Sequence, residues 1–477
     1  METTLAEREH LYIEVAERIE QLIEKKSLKV GDKLLSVRAL SKEQGISLST
    51  AFQAYYHLEG KGLIEARPQS GYYVKFSPSH SLEIPTCCEP ADEVMPVTVD
   101  EMISSVYKDL RSEEILSFSL GAPHVSLLPA SKLNKSVAHV LRHEKDHCLN
   151  YEHVQGNTLL RKQIARLSFN WGGALSEDDV VVTAGCMEAI SLCLRAVTKP
   201  GDAVATESPT FYGIFQVMES LGLKVVEIPS DPQLGADIHY LEQAITRFNI
   251  KACVFVCNFN NPMGSCMPDD RKKKLVDILA KKEIPLIEDD IYGELFFGKT
   301  RPKTCKTFDK KGLVLQCSSF SKSLTPGYRI GWAVPGRFKE RVITLKRMNN
   351  IATNTLAQAA IAHFLQNGRY ELHLRHLRKA LHTQCLRYIQ AISQYFPEDT
   401  KVSRPQGGFI LWLEMGRKLD AYKLHKRALK HKIGLAPGHI FSTHGQFQHC
   451  FRLSFGLPWS SRVEEGLQTL AELVRKT

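Results

Sequence analysis

The stretch Ser318–Trp332, SSFSKSLTPGYRIGW, decides how the chain is read. One lysine, Lys322, sits among serines, and Arg329 follows seven residues later across small and turn-forming positions. Pro326 and Gly327 rule out a continuous surface helix. A hydrophobic core does not select a lysine either. The segment therefore reads as a site in which the amine and the guanidinium have work to do.

Size and composition narrow the class. The 477 residues exceed one ordinary core, so two or more domains are expected. With 43% hydrophobic and 24% charged residues, the usage is that of a globular chain. The first residues, METTLAEREHLYIEV, are charged from the start and do not form a secretory signal. No apolar run is long enough to cross a bilayer, so no membrane partner is expected and the location expected is cytoplasmic. The 12 cysteines are scattered without paired C-x-x-C spacing, which argues against a structural zinc module or a disulfide scaffold. A formal charge of +10 suits an anionic partner, but where the charge sits matters more than its sum.

The first part of the chain reads as helical. Leu11, Val15, Ile19, Leu22 and Ile23 recur at helical spacing. Ser36 caps a second helix, Val37 to Gln44, which Gly45 stops. Ser47 caps a third, Ser49 to Glu59, ended by Gly60 and Gly62. Two short helices joined by Gly-Ile-Ser have the form of a helix-turn-helix. Ile64 and Tyr72–Val74 are strand-like around a turn at Pro68 to Gly71, which makes a hairpin wing.

The order helix, capped helix, turn, capped helix, hairpin resembles the winged-helix DNA-binding domain of GntR-type transcription regulators. The resemblance rests on Ser36-Val37-Arg38, on Ser47 and Thr50, on Tyr56 and Leu58 behind the third helix, and on Arg67 with Gly71 in the wing. It implies DNA as a partner, with Arg38, Ser47, Ser49, Thr50, Gln53 and Arg67 as contact residues, Lys42 also being within reach of phosphate. By themselves Arg38 and Lys42 read equally well as a solvated helix face. Leu48 departs from the family pattern, which often has an arginine there. Gln69 and Leu35 also depart, standing where glycine and proline are usual.

Residues 77–114 change character. SPSHSLEIPTCCEPADEVMPVTVDE is rich in proline, serine and acid and has no period, so the segment reads as a linker between a domain at 1–76 and a domain at 115–477. Met102 to Leu110 is expected to add a short helix. From Ile115 the apolar runs DVVVT, DAVATE, KVVEIP, ACVFVC, PLIEDD and LVLQCSS alternate with helical patterns. That alternation predicts an α/β domain with a mainly parallel sheet. From about Arg369, a long charged helix, the strand GGFILWLEM, a helix and the strand CFRLSFG predict a smaller α+β lobe.

Ligands of open parallel sheets sit beyond the carboxyl ends of the strands. There the sequence places Gly185 and Cys186 at a helix start, then Phe211, Asn261, Asp289, Tyr292, and Ser319, Ser321, Lys322 and Arg329. An anion site, an aromatic face, an amide, a carboxylate, a phenol and an amine together suit a phosphorylated pyridine aldehyde. Each residue alone has a plainer reading: Asp289 as a cap, Arg452 as an ion-pair partner, Phe211 as core.

The motifs NNPMG, DDIYGEL, SFSKSLTPGYRIGW and FRLSFG, in that order, resemble the fold-type I pyridoxal-phosphate enzymes of the aspartate aminotransferase superfamily. The resemblance implies pyridoxal 5'-phosphate as cofactor, with Lys322 as the amine that bonds its aldehyde and moves protons. Asp289 then pairs with the pyridine nitrogen, Tyr292 and Asn261 with the phenolic oxygen, and Phe211 stacks on the ring. Ser319, Ser321, Arg329, Gly185 and Cys186 hold the phosphate, although a hydroxyl residue is common where Cys186 stands. Arg452 and Gly121 match the grip on a substrate carboxylate. Tyr151 matches a tyrosine donated across a homodimer. A GntR-like domain joined to such a domain is the organisation of MocR-type regulators, which implies a transcription regulator sensing the cofactor or an amino compound as effector. The alternative is an aminotransferase acting on an amino acid and a 2-oxo acid, with an appended DNA-binding domain.

Overall fold

The computed structural model describes residues 3–25, 27–60, 63–67, 70–75, 82–87, 95–96, 103 and 114–476. Its contacts divide them into two units, residues 1–82 with 386–398, and residues 83–385 with 399–477.

In the first unit, α1 (Thr3–Glu24), α2 (Val37–Glu43) and α3 (Leu48–Gly60) precede the antiparallel hairpin β1 (Ile64–Arg67) and β2 (Gly71–Val74). The Ser36 hydroxyl accepts from the Ala39 amide and so caps α2. Gly45 takes φ +62°, the left-handed turn that a glycine enters without a Cβ penalty. Ser47 accepts from the Thr50 amide and starts α3. Val15, Ile19 and Ile23 of α1 pack with Ala51, Ala54 and Leu58 of α3. Leu11 and Leu22, counted above in the same helical row, remain exposed, and Ala16 takes the inner position instead. The turn expected at Pro68 and Gln69, and Gly62, lie outside the described residues.

One placement differs from the expectation. Tyr56 does not stand behind the third helix, because it is 48% exposed while Tyr55 is 1% exposed. The Tyr55 hydroxyl donates to the Leu35 carbonyl at 2.7 Å, which fixes the rotation of α3 by a buried hydrogen bond.

The second unit is built on a nine-stranded sheet. Its strands are β3 (Met95–Pro96), β4 (Val181–Thr183), β5 (Ala203–Ser208), β6 (Lys224–Asp231), β7 (Ile250–Phe255), β8 (Leu286–Asp289), β9 (Val314–Ser319) and β10 (Gly331–Val334) in the order β3-β6-β5-β7-β8-β9-β10-β4, and Gly235–Ala236 pairs with β6. Five of the six apolar runs form the parallel part of the sheet, β6-β5-β7-β8-β9, in line with the expected mainly parallel sheet. Strand β10, which begins inside the stretch read first, is antiparallel to both β9 and β4. Helices α4 (Cys186–Val197), α5 (Tyr212–Ser220) and α6 (Asp269–Lys281) connect the strands.

The last quarter contains α7 (Arg369–Tyr395), β11 (Ile410–Glu414), α8 (Ala421–Lys430), β12 (Cys450–Ser454) and α9 (Ser461–Arg475). Strands β11 and β12 pair antiparallel within a four-stranded sheet completed by Lys401–Val402 and Ala436–Pro437. Leu116–Ser117 pairs in parallel with Ile433–Gly434, which carries Ser119 and Gly121 toward the end of β12.

The segment read as a featureless linker is partly built into this unit. Glu83 bridges to Lys401. The Thr86 amide and hydroxyl donate to Glu414 at 2.7 and 2.9 Å, and Met95–Pro96 pairs with Val225 and Lys224 on the sheet edge. The short helix expected at Met102 to Leu110 lies outside the described residues apart from Ile103. Among the described residues, no helix is long and apolar enough to cross a membrane.

Candidate functional site

The carboxyl ends of β4, β5, β7, β8 and β9 deliver the expected residues to one place. Asp289 closes β8, in register with Cys317 of β9, and Lys322 follows β9 by three residues. The Asp289 carboxylate accepts from the Cys186 thiol at 3.3 Å and from the Ile291 amide at 3.1 Å. Burial lifts its pKa to about 6, against the pull of the thiol hydrogen bond. Burial beside Asp289 likewise raises the Cys186 thiol, which therefore stays protonated and donates.

The Lys322 amine donates to the Gly121 carbonyl. Burial lowers its pKa to about 8, helped by the nearby Arg452 and Arg329 and opposed by Asp289. Arg452 is fully buried; it donates to Asn261 Oδ1 at 2.9 Å and to the Ser119 carbonyl at 2.6 Å. Its Nε has no hydrogen-bond partner. A buried guanidinium with a donor to spare fits a carboxylate ligand. The Asn261 amide donates onward to the Tyr292 hydroxyl at 3.3 Å. Burial raises the Tyr292 pKa, so this phenol keeps its proton.

An anion cradle lies at the start of α4. This helix has no side-chain cap at Gly185, so its first amides point outward. Gly185 has φ +91°, and a Cβ there would run into the Arg329 guanidinium. Arg329 itself takes φ +53°, and donates to Ser321 Oγ and to the Ala184 carbonyl at 3.2 Å each. Ser319 Oγ accepts from the Ser321 amide. A non-glycine residue held left-handed is strain that the surrounding structure must enforce. The uncapped helix amides, the serine hydroxyls and the guanidinium, brought close by a glycine that leaves room for Arg329, form a fit for phosphate. With Asp289 for a ring nitrogen and Lys322 for an aldehyde, the residues present suit pyridoxal 5'-phosphate. Phe211 stands half-buried at the start of α5. Tyr151 is 83% exposed and joins no part of this cluster within its own chain.

In the first unit, Arg38, Ser47, Ser49, Gln53 and Arg67 are exposed. Arg67 lies over the Tyr73 ring and pairs with Glu65 at 2.9 Å. Thr50 differs from the expectation: it is 5% exposed, and its hydroxyl is hydrogen-bonded to that of Ser47. The cap turns it inward, away from a groove.

Comparison with known proteins covers both units. Residues 114–470 match the family "Aminotransferase class I and II", and residues 11–74 match "Bacterial regulatory proteins, gntR family". Two Escherichia coli (strain K12) relatives, the uncharacterized HTH-type transcriptional regulators YjiR and YdcR, are 37% and 36% identical. The alignments cover 98% of this chain in both, and 98% and 99% of the relatives. The chain belongs to the MocR-type regulators. This MocR-type chain is thus a GntR-type DNA-binding domain fused to an aminotransferase-like domain. Among solved structures, the Pyrococcus horikoshii kynurenine aminotransferase in complex with PMP is similar at TM-score 0.74 and 28% identity, over 80% of this chain and 95% of that one.

Sequence reasoning missed several residues of the MocR-type chain that hold the site in place. The Ala184 amide donates to Glu188 at 2.6 Å, and Asn349 and Asn350 donate to the other oxygen of the same carboxylate. Asp290, which accepts from Asn258 at the end of the VFVC run, pairs with the buried Arg301, and of these three only Asn258 was read at a strand end from the sequence. Lys272 is fully buried and donates to Asn258 Oδ1 at 2.7 Å and to the Lys303 carbonyl at 2.8 Å. The second acid of DDIYGEL was a visible signal. The lysine in RKKKL was not, since a basic run on an amphipathic helix reads as solvated.

Proposed function

We propose that the cluster around Lys322 holds pyridoxal 5'-phosphate, and that its occupancy, alone or with an amino compound, governs DNA binding by the GntR-type domain. The observation that carries this reading is the convergence of a buried amine, Lys322, its pKa pushed down to about 8 chiefly by burial, with Asp289, Arg452 and Arg329 beside the uncapped start of α4. The PMP held by the Pyrococcus relative supports it.

When bound, the pyridine ring supplies an electron sink. Asp289 would keep a proton at the ring nitrogen, and Cys186 would orient that carboxylate. Asn261 and Tyr292 would hold the phenolic oxygen, and Phe211 would flank the ring. Ser319, Ser321, Arg329 and the amides of Gly185 and Cys186 would take the phosphate. Lys322 would meet the aldehyde and, when released, move a proton at its Nζ. Arg452, beside Gly121, would bind the carboxylate of an amino acid. Tyr151, exposed here, would reach the phosphate of a second copy, so the complete site would need a homodimer. Arg38, Ser49, Gln53 and Arg67 would meet DNA, with Ser47 setting the helix start. A DNA-binding regulator of this kind works in the cytoplasm.

Control requires that the ligand prefer one of two states of the protein. The test is fluorescence anisotropy on the duplex upstream of its own gene, with cofactor-free and cofactor-loaded protein. A cofactor-dependent shift in affinity is expected. Equal affinity together with rapid steady-state turnover of one amino acid and 2-oxo acid pair would make the chain an aminotransferase with an appended DNA-binding domain. The joint retention of Lys322, Asp289, Tyr292, Asn261 and Arg452 favours that second reading.

A further inference from the structure

Helix α3, which a helix-turn-helix lays in the major groove, contains no lysine or arginine along Leu48–Gly60. Its outward face carries a row of large apolar side chains instead. Leu48, Phe52 and Tyr56 are 54%, 51% and 48% exposed at positions i, i+4 and i+8. The next row round the helix is Ser49 and Gln53, both exposed. The opposite face is committed to the core through Ala51, Ala54, Tyr55 and Leu58, with Tyr55 tied to the Leu35 carbonyl. The helix therefore cannot roll to hide the apolar row.

Basic groups flank this face without lying on it. Arg38 and Lys42 are exposed on α2, and Lys33 and Arg67 are exposed beside the wing. That distribution suits phosphate contact on both sides of an uncharged reading surface. Guanine in the major groove is most often read by a bidentate arginine or lysine, and α3 has neither. The thymine 5-methyl group is the apolar feature of that groove, and glutamine is a bidentate reader of adenine.

We propose that α3 reads A·T base pairs through the row Leu48–Phe52–Tyr56 laid against thymine methyl groups, with Gln53 and Ser49 hydrogen-bonding the neighbouring adenine edges. This rests on the DNA-binding reading above and names the sequence class it selects.

The test begins with cofactor-loaded full-length protein and a duplex library with a randomised core. Selected sites should centre on A·T pairs at the positions facing α3. Replacing a contacted thymine by deoxyuridine removes only the methyl group and should weaken binding about fourfold per methyl. Leu48→Ala and Phe52→Ala should each abolish the uracil effect at one position. Their salt dependence should stay that of the parent, because no phosphate contact is removed. Both positions are half exposed, and thermal melting will show whether the fold is kept. Leu48→Arg should shift selection toward guanine, a gain that misfolding cannot imitate. Selected sites centred on G·C pairs, or uracil duplexes bound as tightly as thymine duplexes, would overturn this inference while leaving DNA binding standing. A change in self-association of Leu48→Ala, with no change in DNA selection, would assign the row to protein contact and overturn it too. Absence of salt-sensitive binding to any duplex would remove the DNA-binding reading itself.

Discussion

At Asp289, stability and function pull in opposite directions. Its pKa rises from 3.8 to about 6 on folding, chiefly through burial. The folded chain therefore holds a proton that the unfolded chain has lost between about pH 4 and 6. Stability contributed at this position falls as pH rises through that window, by on the order of 3 kcal/mol in all. Asp289→Asn should raise the melting temperature of the cofactor-free protein at pH 7.5, and the gain should vanish near pH 4. The same variant should lose cofactor affinity, because the ring nitrogen would have no carboxylate. A melting temperature unchanged at pH 7.5 would show that the carboxylate is not under strain. Lys322 makes the second prediction at this scale. Borohydride treatment of loaded protein should fix the cofactor to the peptide containing Lys322, read by mass spectrometry. Lys322→Ala should lose that linkage while the Arg329 cradle retains some cofactor. An adduct on another lysine would refute the assignment.

Helix starts carry the site, and they can be tested as elements. Gly185→Ala places a methyl group against the Arg329 guanidinium at φ +91°. Inorganic phosphate and pyridoxal phosphate should both bind at least about tenfold more weakly, a loss measurable by calorimetry. Unchanged affinity would show that the cradle does not meet phosphate. The strand ends were legible in the sequence because each apolar run stops at a turn signal: Asp289 ends its run, and Lys322 and Asn261 lie three and six residues past theirs. Rotation about a helix was harder to read. Tyr55 and Tyr56 are adjacent aromatics about 100° apart on α3, and it is the burial of Tyr55 and its hydrogen bond to the Leu35 carbonyl that show which faces the core. Thr50 reads as a surface hydroxyl until its bond to Ser47 is seen. Strand β10 is hidden for a similar reason: Gly331–Val334 follows a turn-rich segment, and β4, one of its two antiparallel partners, is distant in sequence.

For the whole molecule, the question is whether two chemistries in one chain speak to each other. Arg38→Ala and Arg67→Ala should lower DNA affinity and reduce the slope of log affinity against log salt by about one each, with cofactor binding unchanged. Arg452→Ala tests the other end. The parent protein is expected to convert its bound cofactor slowly to the pyridoxamine form with some amino acids, followed by absorbance. The variant should lose this conversion and keep cofactor. Conversion that survives in Arg452→Ala would remove the carboxylate role.

The amide of Asn261 has a consequence beyond holding two neighbours. Its oxygen accepts a hydrogen bond from Arg452 and its nitrogen donates one to Tyr292. A bound carboxylate that draws Arg452 toward itself would change what Asn261 can offer the Tyr292 phenol, and through it the phenolic oxygen of the proposed cofactor. The colour of the loaded protein should then work as an indicator dye, shifting with carboxylates that lack an amino group and undergo no reaction. Asn261→Ala would leave the dye in place and disconnect it from the ligand.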